Sequence, residues 1–293
     1  MKSQKNKFAE WMNEHPILAG FVVVILYTAF RKGLYYLFLY ALPQTFAFTV
    51  IHEVLDVIWP FLMVVAFGRL NVYRRGGFFR TLFLGTTLLL YGLLFGFVSN
   101  LIPLFKESGV EWQTPFMMIW AAVTMFFVGF REESCYRGIV LHIFADKYLK
   151  DRRGILITAF ASAAFFGIMH MNNIFVGQSF LECVVQTVNA FFLGALFGAV
   201  LLRGGNLWSL MLIHGFIDLG LTSKNLLTKT YASDAVGYIA SHTKTTIDPI
   251  ETVIRLILWA VIVCITLFML RKSKCDEIIE RFNADGSKKG VNE

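Results

Sequence analysis

Long apolar blocks, cut by short polar stretches, make up most of this chain. The first runs from Pro16 to Phe30 and is followed by Arg31-Lys32. Leu34–Leu42 is apolar and aromatic and ends at Pro43, so it reads as a continuation of that block or as an interfacial piece. Phe46–Phe67 is long enough to span a bilayer despite Glu53 and Asp56. Later blocks cover Thr81–Leu101, Phe116–Phe130, Ile155–His170, Val184–Leu202, Leu207–Leu221 and Val253–Leu270. A helix crosses a bilayer in about 20 apolar residues. Eight spans are therefore expected, three of them short. No small-x-small cleavage site follows the first block, which reads as a retained helix and not a cleaved signal peptide.

Composition agrees with this pattern. Of 293 residues, 56% are hydrophobic and only 16% charged, with a mean hydropathy of +0.61. A soluble domain of this size carries far more charge. The fold class is all-α: a polytopic membrane protein with the lipid bilayer as its surroundings. The net charge of +7 lies mostly between the blocks and in the tails, so it reports topology and gives no reason to expect nucleic acid as a partner. Arg69, Arg74, Arg75 and Arg80, then Lys147, Lys150, Arg152 and Arg153, then Arg203, then Arg271, Lys272 and Lys274 fall on one side of the predicted alternation. The opposite connections mix Lys106 with Glu107 and Glu111, hold Glu182, and mix Lys224, Lys229 and Lys244 with Asp234, Asp248 and Glu251. Both termini are thus expected inside, with Arg31-Lys32 as the exception. The organisation expected is a basic N-terminus (1–15), N-terminal helices (16–114), a polar-bearing core (115–222), an extracytoplasmic loop (223–251), a last helix (252–271) and a cytoplasmic tail (272–293) too short and polar to fold alone.

Chemistry concentrates in Arg131-Glu132-Glu133-Ser134-Cys135-Tyr136-Arg137. Each charge at the centre of a membrane helix costs about 2.5–3.5 kcal/mol on insertion scales. Such a cluster persists when its members pair, line a wet cavity or do chemistry. Glu133 and Arg137 are i,i+4 with the acid first, the favourable order for an ion pair. Glu132 points about 100° away round the helix and is left as the free carboxylate. His170 ends the fifth block, and His214 and Asp218 share one face of the seventh at i,i+4. Any one of these has a bland reading as a packed core residue; an acid, two histidines and an Asp on three helices point to function. Asn189 reads as an interhelical hydrogen bond, and Gly194-x-x-x-Gly198 as a close helix approach. Cys135, Cys183, Cys264 and Cys275 show neither a disulfide framework nor a zinc spacing.

Taken in order, Glu132-Glu133-x-x-x-Arg137, Phe166-x-x-x-His170 and His214-x-x-x-Asp218 resemble the three-motif signature of the CPBP (or Abi) intramembrane protease family, which contains CAAX prenyl-protein endopeptidases and bacteriocin-processing or self-immunity proteins. The resemblance covers about Phe116 to Leu221, including Gly194, Gly198, Gly205 and Trp208. The family often has Asn where this chain has Asp218. The resemblance implies an endopeptidase acting on a membrane-associated peptide or protein, in a bacterial cell membrane. Glu132 would act as general base on a water that His170 also holds. His214 and Asp218 would stabilise the oxyanion, with Asp218 fixing the His214 tautomer. Arg137 would neutralise Glu133, and Phe166 belongs with these supporting residues. No cofactor is favoured, although Glu132, His170 and His214 are also a ligand set for a divalent ion such as zinc. HExxH is absent.

The motifs converge only if the fourth helix continues past Gly138 and the fifth starts outside the hydrocarbon. Competing readings are a serine protease using Ser162 or Ser209, an aspartyl protease using Asp218 with Asp56, and a transporter or non-catalytic scaffold. Oligomeric state is not legible.

Overall fold

The structure, a computed structural model, describes residues 7–41, 46–228 and 249–287. Thirteen α-helices and no strand form among the described residues. They are α1 (Lys7–Glu14), α2 (Pro16–Tyr40), α3 (Phe46–Ala66), α4 (Phe78–Leu84), α5 (Thr86–Tyr91), α6 (Ser99–Leu104), α7 (Pro115–Glu133), α8 (Leu141–Tyr148), α9 (Arg152–Met169), α10 (Phe180–Gly204), α11 (Leu207–Leu227), α12 (Pro249–Met269) and α13 (Cys275–Ser287). A π-helical stretch, Gly92–Val98, joins α5 to α6, and another, Ser134–Val140, joins α7 to α8.

The four core helices begin where the sequence supplies caps. Thr114 accepts from the Met117 amide, with Pro115 at the first turn of α7. Asp151 accepts from Gly154 N at 2.7 Å at the start of α9. Ser179 and Glu182 form a capping box on α10, and Asn206 accepts from Ser209 N at 2.9 Å on α11. Each satisfies amides that the first helical turn leaves without partners.

Six helical stretches are long and apolar enough to cross a membrane: Pro16–Phe38, Thr86–Leu104, Pro115–Tyr148, Arg152–Phe175, Phe180–Gly204 and Thr252–Met269. The other two expected spans are helical and 21 residues long, α3 and α11. They carry Glu53 with Asp56 and His214 with Asp218, and they stand outside that set of six. Large apolar side chains face outward along the bundle, among them Ile25, Phe61, Phe83, Ile257 and Phe268. An apolar exterior of this extent suits lipid. The chain is an integral, multi-pass membrane protein.

One end of the bundle gathers the basic connections. Arg69 pairs with Asp146 and Arg80 with Glu277. Asn206 Nδ2 donates to Arg75 O at 2.7 Å, Lys147 Nζ to Glu14 O at 2.7 Å, and Arg281 Nη1 to Gly204 O at 3.2 Å. These are the connections that the charge alternation placed on one side. In the tail, α13 forms and docks on this end through Glu277 and Arg281. Most of the expected 223–251 loop, residues 229–248, lies outside the described residues; before it, α11 continues to Leu227.

The N-terminal helices explain the exception in the charge pattern. Helix α2 runs unbroken to Tyr40, so Leu34 onward continues the first block. Arg31 sits inside that helix and pairs with Asp56 of α3 at 3.0 Å. Asp56 also takes Arg131 of α7 at 2.9 Å, and Arg131 reaches Glu53 at 3.5 Å. Arg31 is a neutralised partner in a buried network, which is why it fails as a topology marker.

Candidate active site

Small residues set the helix approach that builds the site. A Cβ on Gly129 of α7 would collide with the Met211 carbonyl of α11, and one on Gly215 of α11 would lie 2.8 Å from Met125 O. The two backbones touch, so Glu132 and Glu133, one turn past Gly129, and His214, next to Gly215, are brought within side-chain reach. On the other wall, Gly194 faces Ala163 and Phe166, and Gly198 faces Ala159. The Gly194-x-x-x-Gly198 pattern is the α9–α10 contact. Asn189 also behaves as expected: its amide donates to Tyr91 Oη at 3.5 Å and accepts from Trp259 Nε1 at 3.1 Å.

The fourth pass extends to Tyr148 and α9 starts at Arg152, which meets the condition for the motifs to converge. His214 is the centre. Its Nδ1 lies 2.8 Å from Glu133 Oε1. Its Nε2 faces Glu132 Oε2 at 3.6 Å and Asp218 Oδ2 at 3.5 Å. Glu133 also meets Arg137 Nη1 at 3.1 Å, with both side chains fully buried. The expected Glu133–Arg137 pair is therefore present, and Glu133 has a second partner that the sequence reading did not give it. Glu133 takes His214 Nδ1, and Asp218 takes the Nε2 side. Asp218 sits one helical turn beyond His214 and reaches the opposite edge of the ring.

Arg137 is held between two rings, 4.5 Å from the Phe166 centroid and 5.2 Å from that of Phe197. Its Nη2 donates to Gly194 O at 3.1 Å. The aromatic faces and the carbonyl compensate a guanidinium removed from water. Phe166 turns the same ring edge-on to His170 (5.0 Å) and His214 (5.8 Å), so it spaces the two imidazoles. His170 Nδ1 lies 3.0 Å from Phe166 O, which leaves its Nε2 for the site. His170 and Glu132 interact electrostatically. Side-chain exposure rises from 0% at Glu133 to 7% at His214, 10% at Glu132 and 25% at Asp218, so the site opens past Asp218.

Glu132, His170 and His214 have the donor chemistry for zinc, and both rings have the backbone or carboxylate partner on Nδ1 that zinc histidines usually have. Among the described residues, no three His, Cys, Asp or Glu side chains are grouped to hold a metal ion in this structure. The competing nucleophiles are committed elsewhere. Ser162 Oγ donates to Tyr136 O at 2.9 Å and Ser209 Oγ to Phe78 O at 2.8 Å, while Asp56 is paired with two arginines. The sequence reading passed over Gly129, Gly215, Phe197 and the Arg31–Asp56–Arg131–Glu53 network. Opposite charges in or at the ends of the first, second and fourth apolar blocks were a usable signal for the network.

Residues 114–220 match the family model of the type II CAAX prenyl endopeptidase Rce1-like proteins. No curated protein and no solved structure matches the chain. The match begins at the cap of α7 and ends in α11, so it encloses Glu132, Glu133, Arg137, Phe166, His170, His214 and Asp218. It covers the helices that form the site and leaves out α2 and α3.

Proposed function

We propose that this chain, a membrane protein with an Rce1-like domain of the CPBP protease family, hydrolyses a peptide bond by a water activated at Glu132. The observation that carries the reading is the double engagement of His214, with Glu133 on Nδ1 and Glu132 and Asp218 facing Nε2. A ring so held needs no rearrangement to present Nε2 to a reacting centre, and preorganised donors usually contribute most to acyl transfer.

Glu132 takes a proton from the water, and the water oxygen bonds to the peptide carbonyl carbon. His170 Nε2 helps hold that water. The carbonyl oxygen becomes an oxyanion against Nε2–H of the His214 imidazolium. Glu132 then gives its proton to the amide nitrogen, the C–N bond breaks, and a carboxylic acid and an amine form, the acid passing its remaining proton to the amine as they leave. Arg137 neutralises Glu133 so that this carboxylate can hold His214 at depth. Asp218 borders the open side and stabilises the imidazolium. All steps use the protein's own groups.

The substrate class is a peptide or short membrane-associated protein, and the proposed setting is a bacterial cell membrane with the basic end cytoplasmic. Maturation of a bacteriocin or signalling peptide, or self-immunity, is the biology this suits. The alternative is a non-catalytic membrane scaffold or transporter. Membrane peptides from cells carrying wild-type, Glu132→Gln or His170→Ala protein separate the two. Peptides produced by wild type and missing from both variants at equal abundance support hydrolysis. Identical peptides and an unchanged cellular phenotype in all three would leave the scaffold.

A further inference from the structure

Two buried phenols beside the candidate site have no hydrogen-bond partner among the described residues. Tyr27 of α2 and Tyr136 of the π-helical stretch are both fully buried. Neither hydroxyl has a hydrogen-bond partner. Their rings meet edge to face at 6.0 Å, and the Tyr136 ring meets Phe166, which spaces the two histidines, at 5.2 Å. The charges of Arg31 and Glu132 both act on the two phenols, and the Arg31 guanidinium lies 5.5 Å from the Tyr27 ring centroid. The π-helical turn begins immediately after Glu133, and such turns redirect side chains at functional sites.

A buried hydroxyl without a partner costs stability, and native proteins seldom leave two side by side. A ring of equal size without the oxygen, phenylalanine, would fill either place. Phenylalanine is this chain's preferred aromatic, with 30 residues against 10 tyrosines, so the hydroxyls call for a reason. Tyr136 stands four residues from Glu132 across the start of the π-helical stretch, its ring meets that of Tyr27, and a phenol both donates and accepts. It can donate to a carboxylate while accepting from water.

We propose that the Tyr27 and Tyr136 hydroxyls hold an internal water against Glu132, and so supply and orient the molecule that Glu132 activates. This rests on the hydrolytic reading above for its consequence, but not for the water site itself. It also carries the reaction site outside the Rce1-like match, because Tyr27 lies on the first long helix. The two tyrosines are positioning residues that act on the water and not on the peptide.

The test combines radiolytic hydroxyl-radical footprinting with kinetics on the full chain in lipid nanodiscs. Bound internal water generates radicals that oxidise its neighbours, so Tyr27 and Tyr136 should be oxidised although buried, with Tyr40, 78% exposed, as the solvent control. In Tyr27→Phe/Tyr136→Phe, oxidation of neighbouring Cys135 and Phe166 should fall. Each single Phe variant should keep its KM while kcat drops about ten-fold or more, the loss expected for one transition-state hydrogen bond. Unlabelled tyrosines beside a labelled Tyr40, or an unchanged kcat in the double variant, overturns the proposal and leaves the protease reading intact. Labelled tyrosines in a wild type that cleaves nothing would keep the water site and remove hydrolysis.

Discussion

Two clusters of buried charge lie side by side in this bundle, built from the same residue types to different ends. In the N-terminal cluster, Arg31 and Arg131 face Asp56 and Glu53: two cations, two anions. In the α7–α11 cluster, Arg137 pairs with Glu133, and His214 sits among Glu132, Glu133 and Asp218. A balanced set at membrane depth has settled its charges and ties helices together. A set with surplus carboxylate keeps groups that are able to take and give protons. The difference separates a scaffold from a site, and it is one of pairing, not of composition.

The comparison breaks most visibly at the two central acids. Glu133→Gln should leave Arg137 without a counter-charge and His214 without its carboxylate acceptor. Loss of one partner in a buried pair costs about 3–5 kcal/mol, so both thermal stability and cleavage should collapse. Asp56→Asn should cost a similar stability by exposing Arg31 and Arg131 to each other. The folded fraction should nevertheless cleave with nearly wild-type kcat, measured per molecule by active-site titration. Equal kcat loss in both variants would erase the distinction between the clusters.

Helix approach gives the next effect. Gly215→Ala places a methyl 2.8 Å from Met125 O, and overpacking of this kind costs about 1–3 kcal/mol. Moving α11 off α7 stretches the His214–Glu133 bond, so cleavage should fall further than stability does. Gly33→Ala, where a Cβ meets nothing within 4 Å, should leave both unchanged.

At the surface the effect is small. Partial burial pushes the Glu277 carboxyl up, but hydrogen bonds from Arg80 and Lys274 outweigh it and bring the pKa from the ordinary 4.5 down to about 2. A carboxyl lowered on folding stabilises above its unfolded pKa and loses that stabilisation as pH falls from 4.5 towards 2. Glu277→Gln should lower the melting temperature slightly at pH 7 and low salt, with the difference from wild type closing by pH 2. An exposed pair of this kind contributes up to about 1 kcal/mol. Metal removal should have the least effect: chelation of purified protein is expected to leave cleavage unchanged. A stoichiometric ion that leaves with activity in His170→Ala would overturn the metal-free mechanism.

Membrane character and the succession of apolar helices could be read from the chain alone, as could the residues proposed for the site. Long apolar blocks allow few other structures where no water satisfies the backbone. The caps Thr114, Asp151, Ser179 and Asn206 act within one turn, so local sequence specifies them. Glu133 with Arg137, and His214 with Asp218, are i,i+4 neighbours on any helix. Which acid holds His214 could not be read that way. It depends on the crossing of α7 and α11 at Gly129 and Gly215, whose glycines are unremarkable in sequence. The pairing of Asp56 with Arg31 and Arg131, and the meeting of the Tyr27 and Tyr136 rings, likewise join residues far apart in the chain. Periodicity fixes which face of a helix a residue occupies, because that geometry repeats every 3.6 residues. What stands opposite that face depends on packing between helices, and only the assembled bundle decided it.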